Sequence, residues 1–176
     1  MEMHPIDREE LRRAVALVAT REIGPWPEEL LTMADVERIF PGSRTRQHTS
    51  DAGPAALQGI RALRDTLAAV LLDPHAPDAA ARLDGLVAEY AITPRVPALG
   101  EPVTYRSSRT GVVGRVAGRV IGASIAAYST GEVRYLHECG ADGCITPFLD
   151  TSPRHNRAYC SDRCSTKMRV RRHRQA

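Results

Sequence analysis

Apolar positions recur at helical spacing through the first ninety residues. Leu11, Ala14, Val15 and Val18 lie three and four apart, which predicts a helix to about Arg21. Asp7 with Glu10 reads as a capping box that opens it. Gly24, Pro25, Trp26 and Pro27 break the pattern, with Trp26 expected as a core anchor. A second helical stretch covers 28–40, carrying Leu30, Leu31, Met33, Val36, Ile39 and Phe40. Pro41 and Gly42 end it, and 43–51 reads as a polar loop. The strongest signal runs over 54–72, where Leu57, Ile60, Leu63, Leu67, Val70 and Leu71 form one broad stripe. A turn at 73–77 follows, and Asp78 can cap a further helix to about Ala91.

The period then changes. Pro94, Pro97, Gly100 and Pro102 forbid a helix. Two short β-prone runs come next, 103–107 and 112–116, and the SRTG between them offers hairpin chemistry. Residues 117–128 return to helix, and 131–137 read as a short helical lead-in to Cys139. The pattern predicts a mainly α protein with a small β hairpin.

Composition adds a compartment and a charge map. No run of about 18 apolar residues occurs, and the opening MEMHPIDREELRR is polar and acidic where a secretory signal is basic and then apolar. A cytoplasmic protein is the expectation. All but one of the 24 cations are arginine, the exception being Lys167, a bias that suggests a GC-rich bacterial genome. The net charge of +3 is unevenly placed. Residues 139–176 hold 8 Lys/Arg against 3 Asp/Glu, whereas residues 1–138 hold 16 against 18. A neutral-to-acidic body with a basic end points to a polyanionic partner for that end.

The only four cysteines, Cys139, Cys144, Cys160 and Cys164, fall in the basic end as C-x4-C-x15-C-x3-C. In a reducing cytosol such clustering favours metal ligands over disulfides. Two close pairs on separate segments suit a tetrahedral structural Zn2+. Asp150, Pro153 and Asn156 can reverse the chain between them, and Ser161 can cap a helix that puts Cys164 in its first turn. A knuckle, an irregular hairpin and a pair at a helix start describe a treble-clef-like finger. His137 and His155 lie close enough to compete, but four cysteines already fill the shell. In a helix after Ser161, Met168 packs back on the finger. Lys167, Arg171 and Arg174 share one face, with Arg169 and Arg172 beside it. Such a stripe suits a nucleic-acid backbone, and arginine can also read guanine in the major groove. The alternative is a solvated or protein-binding tail.

The segment CGADGCITPFLDTSPRHNRAYCSDRCSTKMRVRRHR resembles the C-terminal CGNR-type zinc finger of a family of bacterial proteins regarded as transcription regulators. The resemblance rests on Cys139, Cys144, Phe148, Leu149, Asp150, Ser152, Arg157, Tyr159, Cys160, Cys164 and the cations from Lys167 to Arg174. The name-giving Cys-Gly-Asn-Arg reads Cys164-Ser165-Thr166-Lys167 here, with the cation kept at its fourth position. The resemblance implies a helical, ABATE-type N-terminal domain bearing a small β hairpin. The division then falls at 1–137 and 138–176.

Enzymatic motifs are missing. Gly122-Ala123-Ser124-Ile125-Ala126 lacks the second glycine of a nucleophile elbow. Gly111, Gly114 and Gly118 have the wrong spacing for a dinucleotide loop, and no Walker A sequence occurs. A zinc closed by four cysteines leaves no catalytic position. The expectation is a non-enzymatic regulator that binds double-stranded DNA, as a homodimer or with an assisting partner, and whose helical domain senses a small-molecule effector or forms an oligomer. The rival is a module that docks an acidic protein such as part of the transcription machinery.

Overall fold

A computed structural model describes residues 8–22, 27–43, 53–99, 101 and 103–175. Asp7 of the expected capping box, Trp26 and most of the 43–51 loop lie outside the described residues. Among those described, six α-helices and two antiparallel two-stranded sheets form a mostly helical protein. In order these are α1 (Arg8–Ala19), α2 (Met33–Ile39), α3 (Pro54–Leu71), α4 (Ala79–Glu89), β1 (Ile92–Arg95), β2 (Thr104–Ser107), α5 (Gly111–Thr130), β3 (Leu136–Glu138), β4 (Pro147–Leu149) and α6 (Asp162–Gln175).

The main core lies where α3 meets α1, α4 and α5. Ile60, Leu63, Leu67 and Val70, all from the predicted stripe, are wholly excluded from solvent. Leu67→Ala is therefore expected to destabilise the protein by about 2–5 kcal/mol, read by denaturant unfolding.

The second helix starts later than its apolar pattern suggests. Asp35 accepts the Thr32 amide at 2.8 Å, which opens α2 at Met33. Residues 28–31 instead serve the arginines of α3. Glu28 receives a 2.5 Å bond from Arg64 and the Leu30 amide at 2.8 Å. Arg61 donates twice to the Leu30 carbonyl. Arg64 is 4% exposed, so this buried ion pair fixes the connection where a helix was expected.

The hairpin also pairs differently. β2 joins the upstream strand β1, with Ile92 opposite Ser107 and Arg95 opposite Thr104. Residues 112–116 lie inside α5 instead. Val112, Val116 and Val120 recur four apart and are buried, a helical stripe whose β-branched side chains imitate a strand. Pro94 is tolerated in β1 because a two-stranded sheet consists of edges.

The glycines of α5 have a steric role. A Cβ at Gly118 would sit 2.9 Å from the Tyr105 carbonyl oxygen, and one at Gly122 would sit 2.6 Å from the Tyr105 ring. The bare face of α5 is what lets β2 lie across it. Gly85 in α4, by contrast, has open space beside it. Gly85→Ala should stabilise by about 1 kcal/mol through helix propensity. Gly118→Ala should destabilise by about 1–3 kcal/mol through overpacking. Equal effects of the two changes in urea unfolding would refute the packing account.

Candidate metal centre and basic helix

The short β3–β4 sheet sets up the first cysteine pair. Leu136 faces Leu149 and Glu138 faces Pro147, so the chain leaves β3 at Cys139 and returns just beyond Cys144. Between them, Cys144 donates its amide to Ala141 at 2.9 Å, and Cys139 to Thr146 at 3.1 Å. Gly143 takes the left-handed φ of +71° that this tight knuckle needs.

The expected 131–137 lead-in divides into a 3-10 turn, Glu132–Tyr135, and the strand β3. β4 anchors the centre to the helical body. Leu149 packs with Leu11, Ala123, Ala127 and Val133 in a second core. Arg12 reaches Thr151 at 3.0 Å.

Asp150 shapes the return to the second pair. It is 1% exposed and accepts the amides of Ser152 and Arg157 at 2.8 Å each. Burial opposes its charge, but hydrogen bonding from Ser152 and the Arg157 amide outweighs burial and holds the carboxyl below its usual range. Arg157 then clamps the carbonyls of Tyr159 and Cys160 at 2.8 and 3.0 Å. Gly140 donates to Ala158 at 2.9 Å, stitching the two segments together. Ser161 accepts the Cys164 amide at 3.3 Å, the cap expected for α6.

These connections bring the four sulfurs within 4.8 Å of one another. The Cys144–Cys160 and Cys160–Cys164 separations are both 3.8 Å. A disulfide needs about 2.05 Å, so these are not bonded pairs. Four sulfurs about 2.3 Å from one ion have edges of about 3.8 Å. The cluster is therefore positioned to hold a metal ion and fits tetrahedral Zn2+. Cys139 is buried and the other three are half-buried.

Crowding also shifts the proton affinities of these thiols. Burial pushes the Cys160 thiol up to about 12, and its neighbours Cys139, Cys164 and Cys144 add to that rise. Burial also opposes ionisation of Cys144, yet hydrogen bonding centred on Thr146 brings it down to about 7. Crowded thiols cannot all ionise alone, and a divalent ion reverses that balance.

His137 and His155 stand outside the cluster. His155 stacks on Tyr135 at 3.7 Å, with Nδ1 3.1 Å from the Asp150 carbonyl oxygen. His137 tilts against Phe148 at 5.9 Å.

The basic helix divides into two sets of cations. Cys164, Lys167, Met168 and Arg171 follow the i, i+3, i+4, i+7 spacing of one face, and Met168 is half-buried there. Lys167 donates to the Asp142 carbonyl at 2.8 Å, and Arg171 pairs with the Asp142 carboxylate. The cation at the fourth position of Cys164-Ser165-Thr166-Lys167 thus ties α6 to the knuckle. Arg169, Arg172 and Arg174 make no ion pair or hydrogen bond among the described residues, and all are exposed. At about 100° per residue, Arg169 lies nearly opposite Arg171. The sequence offered no signal for Asp142 as the partner of this helix, because 25 residues separate it from Lys167.

The remaining motifs are structural. Ser124 is buried within α5 and bonds the Val120 carbonyl at 2.8 Å. Among the described residues, no helix is long and apolar enough to cross a membrane.

No curated protein matches the chain. Two family models do. The CGNR zinc finger matches residues 135–176, which contain the cysteine cluster, the Asp150 turn and α6. The ABATE model, described as "Putative stress-induced transcription regulator", matches residues 11–131, from α1 to the end of α5. Helical body, four-sulfur cluster and basic helix thus coincide with two adjoining matches, the larger spanning more than half the sequence, and the chain belongs to the ABATE family and carries a CGNR zinc finger.

Proposed function

We propose that the protein is a bacterial, cytoplasmic, DNA-binding transcriptional regulator and not an enzyme. Residues 1–137 form its helical unit and 138–176 its finger. One Zn2+ is held by Cys139, Cys144, Cys160 and Cys164. The observation that carries this reading is that the last cysteine stands in the first turn of α6, so the metal cluster and the exposed arginines share one rigid support.

In this reading zinc supplies the cross-link that a segment this small cannot replace with a core of its own. Lys167 and Arg171 orient the helix through Asp142, leaving Arg169, Arg172 and Arg174 to meet the backbone of double-stranded DNA. Each phosphate neutralised releases counterions, so affinity falls steeply with salt. Lys167 and Arg171 add to the contact where a phosphate displaces Asp142. A single finger makes a small interface, so a homodimer or an assisting partner completes the grip.

The Arg171–Asp142 pair also shows that this helix accepts a carboxylate, which favours one rival: docking of an acidic protein of the transcription machinery. Titrating the zinc-loaded protein into a fluorescent duplex at several salt concentrations separates the two. The regulator reading expects log K to fall linearly with log salt. No affinity for any duplex, with salt-sensitive binding to an acidic protein, would overturn it.

A further inference from the structure

Among the described residues, α6 is covered along a single seam. Cys164 and Met168 are half-buried, and every other residue from Asp162 to Arg174 is exposed. Lys167 and Arg171, beside that seam, are tied to Asp142, so the opposite side of the helix stands free. An α-helix with its side chains is about 10–12 Å across, and the major groove of B-DNA is about 12 Å wide.

Charge divides this free side lengthwise. At about 100° per residue, Asp162, Thr166, Val170 and His173 form one row along its middle. Arg169 and Arg172 flank the row on one side, and Arg163 and Arg174 on the other. The row holds no arginine or lysine, and Asp162 at its start would repel a phosphate. Val170 is 43% exposed although apolar and β-branched, a choice that gains little burial and lowers helix propensity. A helix that met only a phosphate backbone would gain from cations across the whole face.

From this division we infer that α6 lies in the major groove with Thr166 and Val170 reading base edges, Val170 against the methyl group of a thymine. Thymine is the base that presents a methyl group in that groove, and a threonine hydroxyl can bond a neighbouring base. The arginine pairs on the two flanks meet the phosphates of the two strands. Phosphate contacts hold the helix in register and carry no sequence information, so the choice of sequence falls to the row between them. This assignment rests on the DNA-binding reading; what it adds is the residues that select the site.

The test uses zinc-loaded full-length protein and a pool of duplexes randomised over a central segment. Repeated binding and recovery should enrich one sequence. Replacing its thymines singly by deoxyuridine removes only the methyl group. At one of them wild-type affinity should fall about fourfold, the worth of burying one methyl group. Val170→Ala should bind both versions of that site alike. Its zinc content and salt slope should match the wild type, because alanine favours the helix and the arginines remain. Arg172→Ala should do the reverse, flattening the slope and keeping the thymine preference. No enriched sequence, no thymine whose methyl matters, or a Val170→Ala variant that keeps the preference would overturn the assignment. Salt-dependent binding to every duplex alike would sink it and leave the regulator reading standing; no binding to any duplex would sink both.

Discussion

Cys160→Ser should strip residues 139–175 of their order while α3 and α5 keep theirs. Structural zinc contributes an apparent ~10–16 kcal/mol in finger peptides, and nothing else in this segment approaches that. Cys160 sits at the centre of the cluster, 3.8 Å from both Cys144 and Cys164 and donating its amide to Cys139 Sγ at 3.3 Å. The body does not escape unmarked. Leu149 shares a core with Leu11, Ala123 and Ala127, so the melting temperature of the helices should also fall. Elemental analysis of the wild type should give one zinc per chain. Amide spectra of the variant should lose dispersion for the finger and keep it for α3 and α5. A metal-free protein with an ordered finger would contradict the assignment.

Replacing Arg169, Arg172 and Arg174 together with alanine should leave zinc content unchanged and weaken duplex binding strongly. If each meets one phosphate, the plot of log K against log salt should flatten by roughly 2.7 units, at ~0.9 per phosphate. Adding Arg171→Ala should carry the change to roughly 3.6 units only if that arginine leaves Asp142 on binding. A smaller change in slope with lost sequence preference would instead put some of these arginines on base edges. An unchanged slope would remove α6 from the interface.

Much of the finger was legible along the chain because its constraints are local. Cysteine gaps, the Ser161 cap and the turn at Asp150 act over a few residues, and short gaps leave few arrangements around one ion. The α3 stripe was legible for a related reason: eighteen residues sample one face many times.

The misreadings share an opposite origin. Val112 and Val116 look like strand residues until β2 lies across the glycines of α5, a contact fixed by Tyr105 and not by the valines. Residues 28–31 look helical until Arg61 and Arg64, more than thirty positions away, claim their polar groups.

The apolar periods by themselves determined the mainly helical body, and the cysteine spacing the metal-binding cluster, since both express repeats and reaches that the backbone imposes at short range. Only the tertiary structure decided which strand pairs with β2 and which cations of α6 are tied to Asp142. Those depend on groups brought together from distant positions, where burial and charge select a partner that sequence distance hides.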